Sequence, residues 1–99
     1  MRLTPETRQI IKHEAADLLG ADCEVRLFGS RLDDDQRGGD IDLLIATPHV
    51  IKKRVELECR LAARLYIKLG GRKVDVLIKD TASPDSPIHR QAMQHGVVL

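Results

Sequence analysis

Two short apolar runs, IDLLIA at 41–46 and KVDVLIK at 73–79, flank one long amphipathic stretch, and each run carries a single aspartate. This pattern constrains the fold more than any other feature of the chain. Between the runs, from about residue 49 to residue 69, Val50, Val55, Leu57, Leu61, Ala62, Leu65 and Leu69 recur at helical spacing. Lys52, Lys53, Arg54, Glu56, Glu58, Arg60, Arg64 and Lys68 mostly take the solvent side, and Gly70-Gly71 ends the helix. A helix of this length can carry the chain back across a sheet and set the two flanking strands side by side in parallel. The first run is almost continuously apolar, as expected of a central strand covered on both faces. An aspartate inside such a strand, Asp42, therefore demands an explanation, and so does Asp75 in the second.

The remaining segments add helices and strands to this unit. Thr4-Pro5-Glu6 has the chemistry of a helix start: a capping hydroxyl, a proline in the first turn and an acid at the positive end of the dipole. Ile10, Ile11, Ala15, Leu18 and Leu19 continue the helix to Gly20. Alternation from Cys23 to Phe28 predicts a strand with one face on the core, running directly into Gly29-Ser30. Residues 31–39 are polar and read as loop, as do residues 80–87. Ser86-Pro87 opens a short last helix ending near His95, with Val97-Val98-Leu99 as a terminal edge strand. The expected fold is a small α/β sheet with helices packed on it. Ninety-nine residues correspond to one domain, 1–99, with one core and no room for a separate substrate-binding domain.

Composition excludes several classes of function. Aromatic residues make up 2% of the chain, too few for a base-stacking platform. The net charge of +1 gives no electrostatic footprint for a nucleic-acid backbone. Cys23 and Cys59 show no zinc spacing and read as reduced thiols. His13, His49, His89 and His95 lack paired-ligand spacing and read as surface or packing residues. With no apolar run near the ~20 residues of a membrane span and no signal-peptide core, the chain reads as cytoplasmic.

The chemistry concentrates in acids and a glycine turn. Asp40 and Asp42 stand two apart at the start of a strand, so both side chains project on one side, about 6–7 Å apart at the backbone. Asp75 joins them if its strand lies beside the 41–46 strand. Three carboxylates converging beside apolar strands repel one another, and bound cations relieve this. Oxygen-only donors suit Mg²⁺ or Mn²⁺, and such a cluster can hold two ions at ~3.5–4 Å. Gly29-Ser30 at a strand end offers backbone N–H groups and a hydroxyl to a phosphate, and Arg31 can pair with a phosphate oxygen.

The run Phe28-Gly29-Ser30-Arg31, followed by Gly39-Asp40-Ile41-Asp42-Leu43, resembles the signature of the polymerase-beta nucleotidyltransferase superfamily, and more closely its minimal nucleotidyltransferase family. The resemblance spans roughly residues 23–78. It implies a mixed sheet with helices on it, Gly29 and Ser30 on the triphosphate, Asp40 and Asp42 on two Mg²⁺ ions, and Asp75 as the third acid. The implied reaction moves a nucleoside monophosphate, AMP from ATP, to a hydroxyl. The family commonly pairs with a helical HEPN-type protein in toxin–antitoxin modules, so the resemblance also implies such a partner, with an acceptor hydroxyl on it. The sequence departs from the family pattern at Asp33, Asp34 and Asp35, where a glycine is common, and at Gly39, where a serine is common. The alternative reading is a nucleotide-binding module that docks a partner without turnover. The sequence leaves open both that choice and the oligomeric state, a homo-oligomer included.

Overall fold

The computed structural model describes residues 3–28, 41–82 and 86–99. Its elements follow the expected order: α1 (Pro5–Leu19), β1 (Glu24–Phe28), β2 (Ile41–Ala46), α2 (Arg54–Lys68), β3 (Val74–Lys79), α3 (Pro87–His95) and β4 (Val97–Val98). Thr4 caps α1 by accepting the Thr7 N–H at 3.1 Å, and Pro5 stands in its first turn. Ser86 does the same for α3, accepting from the His89 N–H at 3.3 Å. Among the described residues no helix is long and apolar enough to cross a membrane.

The four strands form one mixed sheet in the order β3-β2-β1-β4. β1 is antiparallel to β2 and to β4, whereas β2 and β3 are parallel, joined by the α2 crossover. The sheet has two unequal faces. Val25 and Leu27, Ile41, Leu43 and Ile45, and Val74, Val76 and Ile78 point to one face. There they pack with Ile11, Ala15 and Leu19 of α1 and Leu61 and Leu65 of α2. The opposite face carries a much smaller cluster of Phe28, Leu44 and Ala92, with Leu77 packed against it. Two helices seal the first face, and α3 packs on the second.

Three details differ from the sequence expectation. The second helix begins at Arg54 rather than near residue 49. The His49 N–H is taken by Thr47 Oγ1 at 3.2 Å and the Ile51 N–H by Asp80 Oδ2 at 2.7 Å. Backbone donors bound to side-chain acceptors hold this segment in a non-helical conformation. The first strand begins at Glu24, because the Cys23 N–H closes a turn onto the Gly20 carbonyl.

The polar side of α2 is also less solvated than its periodicity predicts. Arg64 Nη2 lies 2.8 Å from both Glu14 Oε2 and Asp17 Oδ2 of α1. Lys68 Nζ lies 2.9 Å from Glu14 Oε1, and Glu14 is only 1% exposed. Buried charge persists only when paired, so this cluster fixes how α1 and α2 sit together. Glu58 accepts the Ile78 N–H at 2.8 Å and so blocks part of the open edge of β3.

Candidate active site

The strand register brings two of the predicted acids together. In the parallel β2–β3 ladder Asp42 pairs with Asp75, and in the antiparallel β1–β2 ladder Asp42 pairs with Phe28. Residues opposite one another share a face, and neighbouring strands lie about 4.8 Å apart. Asp42 and Asp75 are therefore adjacent on the sparsely covered face, one pleat step from Leu44 and Leu77. Asp42 is half-buried and Asp75 is exposed. Asp75 therefore meets water rather than an apolar surrounding, although it stands within an apolar run. Like-charge proximity is the physical problem that remains.

The predicted sites at Gly29, Ser30, Arg31 and Asp40 lie outside the described residues. Their flanks are nonetheless placed. β1 ends at Phe28 and β2 begins at Ile41, whose N–H donates to the Lys73 carbonyl at 3.1 Å. Phe28 is opposite Asp42, and Ile41 is the residue before it. Phe28 and Ile41 thus both stand at the Asp42–Asp75 end of the sheet.

The donor set fits a hard divalent cation. Two carboxylates on adjacent strands offer oxygen ligands from one side, as Mg²⁺ and Mn²⁺ prefer, with water completing the shell. No cluster of three metal-binding side chains occurs among the described residues. A surface cavity of about 450 Å³, lined by Ile51, Lys52, Lys53, Arg54, Asp80 and Ala82, sits elsewhere. It lies beyond the other ends of β2 and β3, and its mixed charge does not converge on a reacting centre.

Two residues on the Asp42–Asp75 face carry no role in the sequence reading. Phe28 forms the apolar floor beside Asp42. His89, read from sequence as a surface or packing residue, is 8% exposed, and its buried Nδ1 has no hydrogen-bond partner among the described residues. The predicted cap at Ser86 places His89 in the first turn of α3, but only the packing of α3 shows which way it faces. Cys23 is partly buried, and that burial pushes its thiol up, as befits an inert core thiol.

The sequence matches the nucleotidyltransferase domain family over residues 8–99. No curated protein matches it. Solved structures resemble it over most of its length. A mutant form of the MntA–HpeT toxin–antitoxin complex aligns with TM-score 0.66 and 22% identity, over 97% of this chain and 71% of that one. A toxin–antitoxin structure with AMP-PNP aligns with TM-score 0.61 and 22% identity, over 88% and 70%. The tri-AMPylated HEPN toxin of Shewanella oneidensis in complex with MNT antitoxin aligns with TM-score 0.58 and 21% identity, over 92% and 70%. At these identities the likeness establishes the fold.

Proposed function

Because the chain belongs to the nucleotidyltransferase domain family, we propose that it transfers AMP from ATP to a hydroxyl on a HEPN-type protein partner, as a single-domain antitoxin. The pairing of Asp42 with Asp75 across the β2–β3 ladder carries this reading. An AMPylated HEPN toxin and an AMP-PNP complex among the structural neighbours support the choice of nucleotide and acceptor.

In this reading Asp40, Asp42 and Asp75 hold two Mg²⁺ ions, which supply charge neutralisation at the triphosphate and lower the pKa of the acceptor hydroxyl. Asp75, the exposed acid, faces the incoming acceptor and helps to take its proton. Gly29 and Ser30 hold the β- and γ-phosphates, and Arg31 pairs with a phosphate oxygen. The acceptor oxygen bonds to the α-phosphorus as the bond from that phosphorus to the bridging oxygen breaks, and pyrophosphate leaves. The half-open face leaves room for a protein acceptor. The reading places the reaction in the cytoplasm.

The test is incubation of the protein with α-labelled ATP, Mg²⁺ and the HEPN-type protein encoded beside it. Label on the partner that disappears with Asp42→Ala is the expected result. Nucleotide binding without label transfer would establish the alternative, a docking module without turnover.

A further inference from the structure

The fold sets a lysine beside the two acids. Asp42 and Asp75 are paired in the β2–β3 ladder, and Lys73 stands two residues before Asp75. The Ile41 N–H donates to the Lys73 carbonyl at 3.1 Å, so the parallel ladder already holds the Lys73 backbone in register. Strand alternation runs through it. Val74 and Val76 are buried on the helix-covered face, and Lys73 and Asp75 are both exposed on the other. Two residues of extended chain separate them by about 6–7 Å. The long, flexible stem of lysine covers that distance.

The other cations that the described strands turn to this face are placed differently. Arg26 is opposite Leu44, with its guanidinium 2.8 Å from Glu24 and 3.4 Å from the Met93 carbonyl. Lys79 follows Asp75 by four residues, about 13 Å along the strand. A cation at position 73 opposes a bare metal ion held by the acids, through like charge. It favours an anion that arrives with the metal. Three carboxylates and a triphosphate bring about seven negative charges, of which two Mg²⁺ ions offset about four. The balance calls for protein cations aimed at the phosphate oxygens.

We propose that Lys73 is a substrate-binding residue: its ammonium pairs with a phosphate oxygen of the metal-bound triphosphate, on the β3 side of Asp42 and Asp75. The inference rests on the nucleotidyl-transfer reading of the same face. An ammonium is a compact charge with three donors, suited to phosphate oxygens. The face is exposed at Lys73 and Asp75, whereas one pleat step further in Leu44 and Leu77 already pack with Phe28 and Ala92.

The experiment is calorimetric titration of the full chain with Mg²⁺ alone and with Mg²⁺ plus the non-hydrolysable analogue AMP-PNP, for wild type, Lys73→Met, Lys73→Arg and Lys79→Met. The expected result is a loss of AMP-PNP affinity in Lys73→Met of roughly 10-fold, the lower end for a hydrogen bond to a charged group. Lys73→Arg keeps most of the affinity, and Lys79→Met, with the same change of charge, keeps all of it. Mg²⁺ alone binds Lys73→Met at least as tightly as wild type, since a like charge has been removed. A lysine that only offsets the repulsion between the acids gives the opposite sign: its removal tightens AMP-PNP binding along with the metal. Equal or tighter AMP-PNP binding in Lys73→Met, an equal loss in Lys79→Met, or a parallel loss of Mg²⁺ affinity, in a wild type that binds AMP-PNP, each overturns this inference alone. Wild-type protein that binds no AMP-PNP overturns the parent reading together with it.

Discussion

Replacing Asp75 by asparagine should make the metal-free protein more stable and the enzyme inactive. The two carboxylates are opposite one another on adjacent parallel strands, Asp42 half-buried and Asp75 exposed. Two unit charges about 5 Å apart repel by roughly 1 kcal/mol in water and about 3 kcal/mol at an effective dielectric of 20. Exposure of Asp75 sets the value near the lower figure, in line with the ~0.2–1 kcal/mol typical of cross-strand pairs. Asparagine keeps the shape and removes the repulsion, so the melting temperature should rise by a few degrees, since about 1 kcal/mol corresponds to about 4–8 °C in a domain this small. Added Mg²⁺ should then reverse the order. Wild type gains stability through ligand binding, and the variant, lacking one oxygen ligand charge, gains little. Thermal melts with and without Mg²⁺, alongside the labelled-ATP transfer assay, read both effects. A variant that melts below wild type in the absence of metal, or that keeps the Mg²⁺-dependent gain, would refute the claim that the two acids form one cation site.

Glu58→Ala removes the acceptor from the Ile78 N–H on the edge of β3. It should cost about 1–2 kcal/mol in urea unfolding, and size-exclusion chromatography should show more self-association through the uncovered edge. The Arg64 hydrogen bond, and then its charge, hold the Asp17 carboxyl below its ordinary value of 3.8. A lowered folded-state pKa adds stability above the unfolded value and loses it as the pH falls through the folded one. Wild type should therefore exceed Asp17→Asn in urea midpoint at neutral pH, and the difference should vanish once the pH drops well below 3.8.

Much of the fold was legible because its local signals agree. The caps at Thr4 and Ser86, the glycines at 20 and 70–71, and the alternation before Phe28 each mark an element that the structure contains. Failures came where a distant group competes for a local one. Asp80 takes the Ile51 N–H from across the chain and delays α2 to Arg54, although 29 positions separate the two residues. Helical periodicity sends Arg64 and Lys68 outward, yet Glu14 on another helix draws both back. The buried Nδ1 of His89 has no sequence signature, because burial of a single ring atom depends on what packs over it.

Of the candidate site, the chain order of Asp42, helix and Asp75 comes from the sequence, as does the face that each acid shares with its neighbours two positions away. Side-chain alternation along a strand is a property of the backbone and holds in any extended segment. Whether the two acids meet is a matter of register, and register exists only between strands. A slip of one residue in the β2–β3 ladder would place Asp42 opposite Val74 or Val76 and break the pair. What fixes the observed alignment is the burial of Ile41, Leu43 and Ile45 beside Val74, Val76 and Ile78 under α1 and α2, an arrangement settled by packing on the far side of the sheet from the carboxylates themselves.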